Sequence, residues 1–470
     1  MENKRAILVS TASQVAVRLI GLAVSLASVK LLTSAYGLAG TGIYNTITTY
    51  LTFSIVIADL GIFSAAVREI SKDPTKEQAI AGNVLSIRLL TASIAALLAV
   101  GAIRLTGYSA DLIRGTEIAG AFIFFNLVAS SFDVIFQYRL TMQLSAIAEL
   151  VSKLVGLLAL AIAVSLHAGF LWAVASIPLS GFVIMFCKAL LSKSLLHIRP
   201  AWDPKLIGWI LRLSLPLGVV FVISNLYFKI DTLVLFALKG AAAVGIYSVS
   251  YKVLEVTAFI GAYFASSLKP SLSKQKGMAG RLVSRAIIAM LLVSIPIAAV
   301  SAVFARPIIL FLSNSNFLGG VRSLEILAWS LPLIYCDVLL AEVLISRDAR
   351  RALLAIALGS LAFNLCLDFL LIPRYSYDGA AMATIISEAV LLVANLACCR
   401  AYLQLALHWP TMGKLLVSTA VSLGIGVLLI RLPIYFLVSI VLTLAVYCAT
   451  LLALKAVTRE ELQKMIAKSA

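Results

Sequence analysis

The sequence predicts an all-α polytopic membrane protein of about fourteen transmembrane helices. Two six-helix lobes related by a parallel pseudo-two-fold are followed by two C-terminal helices. Three observations carry this expectation. The 470 residues are 62% hydrophobic and only 13% charged, where soluble domains run nearer ~45–50% and ~25%. Apolar runs long enough to cross a bilayer, ~20 residues each, recur along the whole chain. Lys and Arg collect in alternate connections between those runs, as the positive-inside rule requires.

Taken in order, the runs are residues 6–32, 43–67, 80–104, 112–137, 147–166, 169–191, 206–237, 244–268, 282–305, 323–345, 352–372, 379–402, 412–430 and 433–455. The first is too long for the core of a signal peptide and reads as a membrane helix. The fifth and sixth are separated only by His167, Ala168 and Gly169, and the last pair only around Arg431 and Pro433. With the N-terminus inside, the cytoplasmic connections hold Lys4 and Arg5, then Arg68, Lys72 and Lys76, then Arg139. Around the end of the sixth run lie Lys188, Lys193, Arg199 and Lys205, counted with the cytoplasmic connection. Outer connections carry few cations, and the longest, 306–322, reads as a short Ser/Asn/Gly-rich loop. Both termini are therefore expected in the cytoplasm. A formal net charge of +17 follows from these topogenic residues, and no nucleic-acid partner is expected.

An internal repeat supports the two-lobed arrangement. Gly42-Ile43-Tyr44 opens the second run and Gly245-Ile246-Tyr247 the eighth, each after a small-residue turn (AYGLAGTGIY and LKGAAAVGIY). Six helices separate the partners, so the halves share one orientation, as in parallel-repeat transporters. The expected organisation is an N-terminal lobe over 1–200, a C-terminal lobe over 201–408, and helices 13 and 14 with a short cytoplasmic tail over 409–470.

Charges inside the runs point to the working part. A charged side chain near the bilayer centre costs at least ~2.5–3.5 kcal/mol, so it normally faces a cavity or a partner. The segment KIDTLVLFALKGAAAVGIYSVSYKVLE concentrates such residues: Lys229 and Asp231 before the turn, Lys252 and Glu255 after it. Lys30 and Lys153 lie near span ends and read as snorkelling to headgroups. Arg18, Arg88, Lys229 and Lys252 are the candidates for a cationic cavity, against structural ion pairing as the alternative. Lys and Arg at that depth suit phosphate or pyrophosphate through charge-assisted hydrogen bonds. Among the intramembrane acids, Asp231, Glu255 and Asp337 are candidates for ion coupling or for a place in the cavity. Asp337 stands out because it lies near the middle of its span. Lys252 and Glu255, three residues apart, are spaced to pair on one helix face.

No nucleotide-binding loop, zinc-protease helix, nucleophile elbow or metal-spaced His/Cys cluster is present in the sequence. The six cysteines lie in apolar runs and read as small hydrophobes. No catalytic centre and no metal are expected, so the protein reads as a non-enzyme.

Four stretches carry a family likeness: DLGIFSAAVREISKD (59–73), the 229–255 segment, SSLKPSLSK (266–274) and FNLCLDFLLIPRYSYDGAAMATIISE (363–388). In order and over nearly the full length, they resemble the Wzx-like oligosaccharide flippases of the polysaccharide biosynthesis family. That family sits within the superfamily that also holds multidrug extruders and lipid II flippases. The chain departs from the family pattern at Asp368, Tyr377-Asp378 and Lys269.

The resemblance implies passage of a polyprenyl-pyrophosphate-linked oligosaccharide across the cytoplasmic membrane by alternating access, in cell-surface polysaccharide biosynthesis. It implies membrane lipids and the lipid-linked glycan as partners, and association with glycan polymerase or assembly machinery. No cofactor is expected, and coupling to a Na+ or H+ gradient and uncoupled lipid scrambling are both left open. The alternative on the same fold is an ion-coupled multidrug or cation antiporter, for which Asp337 and Asp231 would be essential. A glycan polymerase or ligase would need a sizeable outer loop with catalytic residues, which the sequence lacks.

Overall fold

The computed structural model describes residues 2–274, 279–347, 349–403, 409–432 and 435–454. Among them, ten helices are long and apolar enough to cross a membrane, or eleven when the bent pair Gly320–Ala328 and Leu331–Ser346 counts as one span. Three of the eleven are far longer than a bilayer is thick. Helix α1 runs Glu2–Asp59, α8 Pro204–Lys274 and α13 Arg350–Arg400. At ~1.5 Å per residue, each would overrun the ~30 Å hydrocarbon core more than twofold if straight. Each is instead broken by one residue with non-helical backbone: Gly37 in α1, Gly240 in α8 and Ser376 in α13. In α13 the Asn364 side chain donates to Ser387 at 3.4 Å, and a bond between residues on opposite sides of Ser376 needs the chain to fold back. Counting both arms of the three broken helices gives fourteen membrane-length segments, as the sequence predicts.

The helices form two compact units, Met1–Phe236 with Gly240–Gly245, and Ala237–Lys239 with Ile246–Ala470. The first unit contains α1, α2 (Ile62–Lys72), α3 (Glu77–Arg104), α4 (Ala110–Ala119), α5 (Ala121–Tyr138), α6 (Met142–Ser165), α7 (Phe170–Lys193) and the first arm of α8. Here α6 packs on α7 and α1, while α5 packs on α7 and α3. Residues 204–236, placed by sequence at the start of the second lobe, pack with this unit. Ile210 is fully buried among Ile62 and Ile70 of α2, Ile80 and Val84 of α3, and Ile135 of α5. Close backbone approach depends on glycine. A β-carbon on Gly42 would overlap the Ala241 carbonyl, and one on Gly245 would overlap that of Leu38. The two glycines of the sequence repeat are thus both contact points where only hydrogen fits.

The second unit contains the second arm of α8, α9 (Ala279–Val303), α10 (Ala305–Leu312), α11 (Gly320–Ala328), α12 (Leu331–Ser346), α13, α14 (Trp409–Ile430) and α15 (Phe436–Ala453). Helix α12 packs against α13 and α9, and α14 against α15 and α9. Tyr335 lies over Gly261 and donates to the Thr257 carbonyl at 2.7 Å. The 306–322 segment is not the loop that its Ser/Asn/Gly content suggests. ARPIILFL forms α10, burying Ala305, Ile309 and Leu312, and a 3₁₀ turn at Ser315–Phe317 buries Phe317. An apolar stripe at helical spacing outweighs the turn-forming residues that follow it.

The outer faces match a lipid setting. Leu97, Leu98, Leu158 and Val441 are each 60–74% exposed, whereas the buried set includes Arg88, Lys188, Asp231 and Asp337. Cys336 and Cys399 are buried and Cys366 and Cys448 exposed; all six cysteines are free thiols.

Candidate functional site

The intramembrane charges sort by unit and by partner. In the first unit Arg88, on α3, is 1% exposed. It donates to the Asp59 carboxylate and, at 3.3 Å, to the Ala58 carbonyl. Both acceptors lie in the last turn of α1, the end of a helix that favours a cation. The chain breaks immediately afterwards, at Leu60 and Gly61, both with positive φ. The Gly61 amide donates back to Asp59 at 3.1 Å. Arg88 therefore fastens α3 to the end of α1, and its charge is matched inside the unit.

A second buried cation was misplaced by sequence. Lys188, read as a cytoplasmic loop residue, is 3% exposed within α7. Its ammonium donates to Asp133 of α5 at 2.7 Å and lies 3.8 Å from Glu149 of α6. Ser145 donates to the other Asp133 oxygen at 2.7 Å. The carboxylate at Asp133 holds the lysine inside the unit, because burying the acid without a cation would cost several kcal/mol. The signal in the sequence was Asp133 itself, an intramembrane acid needing a partner.

At the cytoplasmic-side helix ends predicted by sequence, Glu77 opens α3 and accepts two bonds from Arg139, at 2.9 and 2.6 Å. This two-pronged contact raises the Arg139 pKa above its usual value. Lys229 is half-buried and Asp231 buried on the first arm of α8. Arg18 lies on the first arm of α1, and its side chain falls outside the described residues.

In the second unit Lys252 donates to Glu255 at 2.9 Å, the i,i+3 pair that the spacing predicts. Their side chains are 26% and 40% exposed, against 1% for Arg88 and 4% for Lys188. Asp337, on α12, is 5% exposed and accepts from the Asn395 side-chain amide at 3.1 Å. Glu388, 2% exposed on the second arm of α13, stands beside it. Sequence reasoning singled out Asp337 but not the two α13 residues, because pairing across helices leaves no mark in a linear pattern. Asp368 is fully buried on the first arm of α13. Among the described residues no His/Cys/Asp/Glu group has the arrangement of a metal site.

Arg88 and Lys229 thus belong to the first unit, and Lys252, Glu255 and Asp337 to the second. Arg88 meets Asp59, Lys252 meets Glu255, and Asp337 meets Asn395 with Glu388 alongside.

Residues 4–276 match the family model described as polysaccharide biosynthesis protein, and residues 216–370 match the MatE model. No curated protein matches the chain. Among solved structures, the lipid II flippase MurJ in an inward closed conformation superposes with a TM-score of 0.81 at 14% identity, covering 94% of this chain and 97% of that one. A multidrug resistance MATE family transporter, inward-facing, gives 0.66 at 13% identity over 81% of this chain and 93% of that one. A superfamily transporter from Pyrococcus furiosus gives 0.60 at 14% identity over 84% and 93%. At such identities the likeness is one of fold.

Proposed function

The chain belongs to the polysaccharide biosynthesis protein family, whose model matches more than half its length, and from there we propose that it is a flippase. It carries a polyprenyl-pyrophosphate-linked oligosaccharide across the cytoplasmic membrane, for cell-surface polysaccharide assembly, and performs no bond chemistry. The observation that carries this reading is the family match over 4–276, on a chain that keeps Lys and Arg at membrane depth. The hydrophilic headgroup would cross between helices while the polyprenyl chain stays in lipid. Lys229, Lys252 and Arg18 are the groups we assign to the pyrophosphate. Each contact of ammonium or guanidinium with phosphate is a charge-assisted bond, and it is stronger away from bulk water. Relatives of the same fold have been solved inward-facing and outward-facing, which supports alternating access here. Both termini are assigned to the cytoplasm by the loop cations.

The test is export of lipid-linked oligosaccharide in cells carrying wild type, Arg18→Ala or Lys229→Ala, with membrane insertion checked in each. Export lost, with lipid-linked glycan accumulating inside, is the expected result. Normal export in both variants sinks the cationic assignment, and normal export after deleting the whole protein sinks the flippase reading.

The second reading, an ion-coupled antiporter of drugs or cations, is favoured by the MatE match over 216–370 and by Asp337 and Glu388, both buried in the second unit. Coupling to H+ or Na+ through Asp337 belongs to either reading. Asp337→Asn should lower transport and remove its dependence on the ion gradient, and unchanged gradient dependence would clear Asp337 of that role.

A further inference from the structure

The first unit holds an open cavity of about 500 Å³ between α1, α5, α6 and α7, within the range of small-molecule sites, roughly 300–1,000 Å³. It lies wholly among residues 24–188 and includes none of the residues assigned above to pyrophosphate. Its wall is hydroxylated, and six of its hydroxyl protons are already committed. Ser28, Thr48, Thr52, Ser130, Ser176 and Ser180 each donate to a main-chain carbonyl of their own helix, at 2.6–3.0 Å. A hydroxyl has one proton and two lone pairs, so what these groups still offer a ligand is acceptors. Asn126 adds an amide able to donate or accept, and the rings of Tyr44 and Phe122 supply flat apolar surface.

The charges at the cavity nearly cancel. Asp133 and Glu149 line it together with Lys153 and Lys188. Both Asp133 oxygens are engaged, by Ser145 and Lys188, whereas the Glu149 side chain is 42% exposed and the more accessible acceptor. A phosphate would meet two carboxylates, and a lipophilic cation would meet two ammonium groups. The occupant that fits is neutral, rich in O–H or N–H donors, and has a face able to lie on an aromatic ring. We infer that this cavity is a subsite for neutral sugar residues of the transported glycan, separate from the cations that take its pyrophosphate. The inference rests on the flippase reading for what brings a glycan to the protein. Sugar hydroxyls donate to the Ser and Thr oxygens and to Glu149, and a ring face lies against Tyr44 or Phe122.

The test uses the full chain in lipid nanodiscs, with methyl glycosides of neutral hexoses and N-acetylhexosamines as probes and saturation-transfer NMR as readout. At least one glycoside should bind wild type, and neither tetraphenylphosphonium nor inorganic pyrophosphate should displace it. Ser130→Trp, which fills the cavity, should abolish the signal. Asn126→Ala, which removes hydrogen-bonding groups without adding bulk, should weaken binding about tenfold, the scale of a lost hydrogen bond. The second variant decides the matter if the first fails to fold. Absence of glycoside binding to wild type, or binding unchanged in the folded variants, overturns the subsite. Displacement by tetraphenylphosphonium overturns it too, in favour of a cation site. Export in a deletion strain separates the two levels of the argument: if deletion abolishes export and no glycoside binds, the subsite alone fails. If deletion leaves export intact, the flippase reading fails, whatever binds.

Discussion

Neutralising Asp59 should destabilise the first unit more than removing its partner, Arg88. The Arg88 side chain is 1% exposed and that of Asp59 17%, so each single variant strands a charge in a different environment. Asp59→Asn leaves a guanidinium buried without a counter-ion. Breaking a buried pair in this way costs about 3–5 kcal/mol. The Ala58 carbonyl still accepts from Arg88, and the C-terminal end of α1 still favours a cation by up to ~2 kcal/mol, which sets the expectation at about 3 kcal/mol. Asparagine keeps an oxygen for the Gly61 amide, so the change isolates the charge. Arg88→Met strands a carboxylate that is partly solvated and still bonded to Gly61, for about 1–3 kcal/mol. The double variant removes both charges and should recover most of the loss, which requires a coupling of about 3 kcal/mol, the upper end of what contacting residues show. Equilibrium unfolding of the purified protein in mixed micelles reads all four species. A loss below about 1 kcal/mol in Asp59→Asn, or a larger loss in Arg88→Met than in Asp59→Asn, would refute the argument from burial. The double variant also separates two roles for Arg88: it should fold and export glycan, whereas a protein that folds and fails to export would return Arg88 to the substrate.

Three further outcomes are expected. Lys188→Met leaves Asp133 and Glu149 without the ammonium that stands 2.7 and 3.8 Å from them. It should cost about 3 kcal/mol in the same unfolding assay, with Lys188→Arg closer to wild type. Gly42→Ala drives a methyl into the Ala241 carbonyl, a backbone group that cannot rotate away. Overpacking of this kind costs at least ~1–3 kcal/mol, and a thermal midpoint equal to wild type would show that the helices part without penalty. Lys252→Ala breaks a pair whose members are 26% and 40% exposed, so stability should change by less than about 1 kcal/mol while glycan export is lost. Export at the wild-type level would remove Lys252 from the substrate path.

The fold was legible because its causes are linear. Twenty-residue apolar runs and small-residue turns are written along the chain, and Gly37 and Gly240 break their helices inside the two turns that precede the GIY repeat. Ser376 was harder to read. It lies between the runs 352–372 and 379–402 and adopts positive φ without being glycine. The pair within one helix, Lys252 and Glu255, was legible from its spacing, but the pairs between helices were not, since Arg88 reaches an acid twenty-nine residues away and Lys188 one fifty-five residues away. Lys188 misled for a physical reason. It lies near the end of its helix, followed by Lys193 and Arg199, and hydropathy cannot tell an ammonium bound for headgroups from one drawn inward by an aspartate.

Burial then divides the cations into two working classes. Recruiting Arg88 or Lys188 to a phosphate means first breaking a desolvated pair, which costs about 3–5 kcal/mol before any contact with substrate forms. Lys252 carries a smaller cost, because its partner Glu255 is 40% exposed and an exposed pair is worth at most about 1 kcal/mol. A pyrophosphate approaching Lys252 displaces a weak contact and forms a charge-assisted one, a net gain that the buried pairs do not offer. Lys229, half-buried on the first arm of α8, falls between these limits. The same sequence of Lys and Arg at membrane depth therefore contains cations whose buried pairs hold the first unit together and, in Lys252, a cation in a more exposed pair, and accessibility, not position along the chain, separates them.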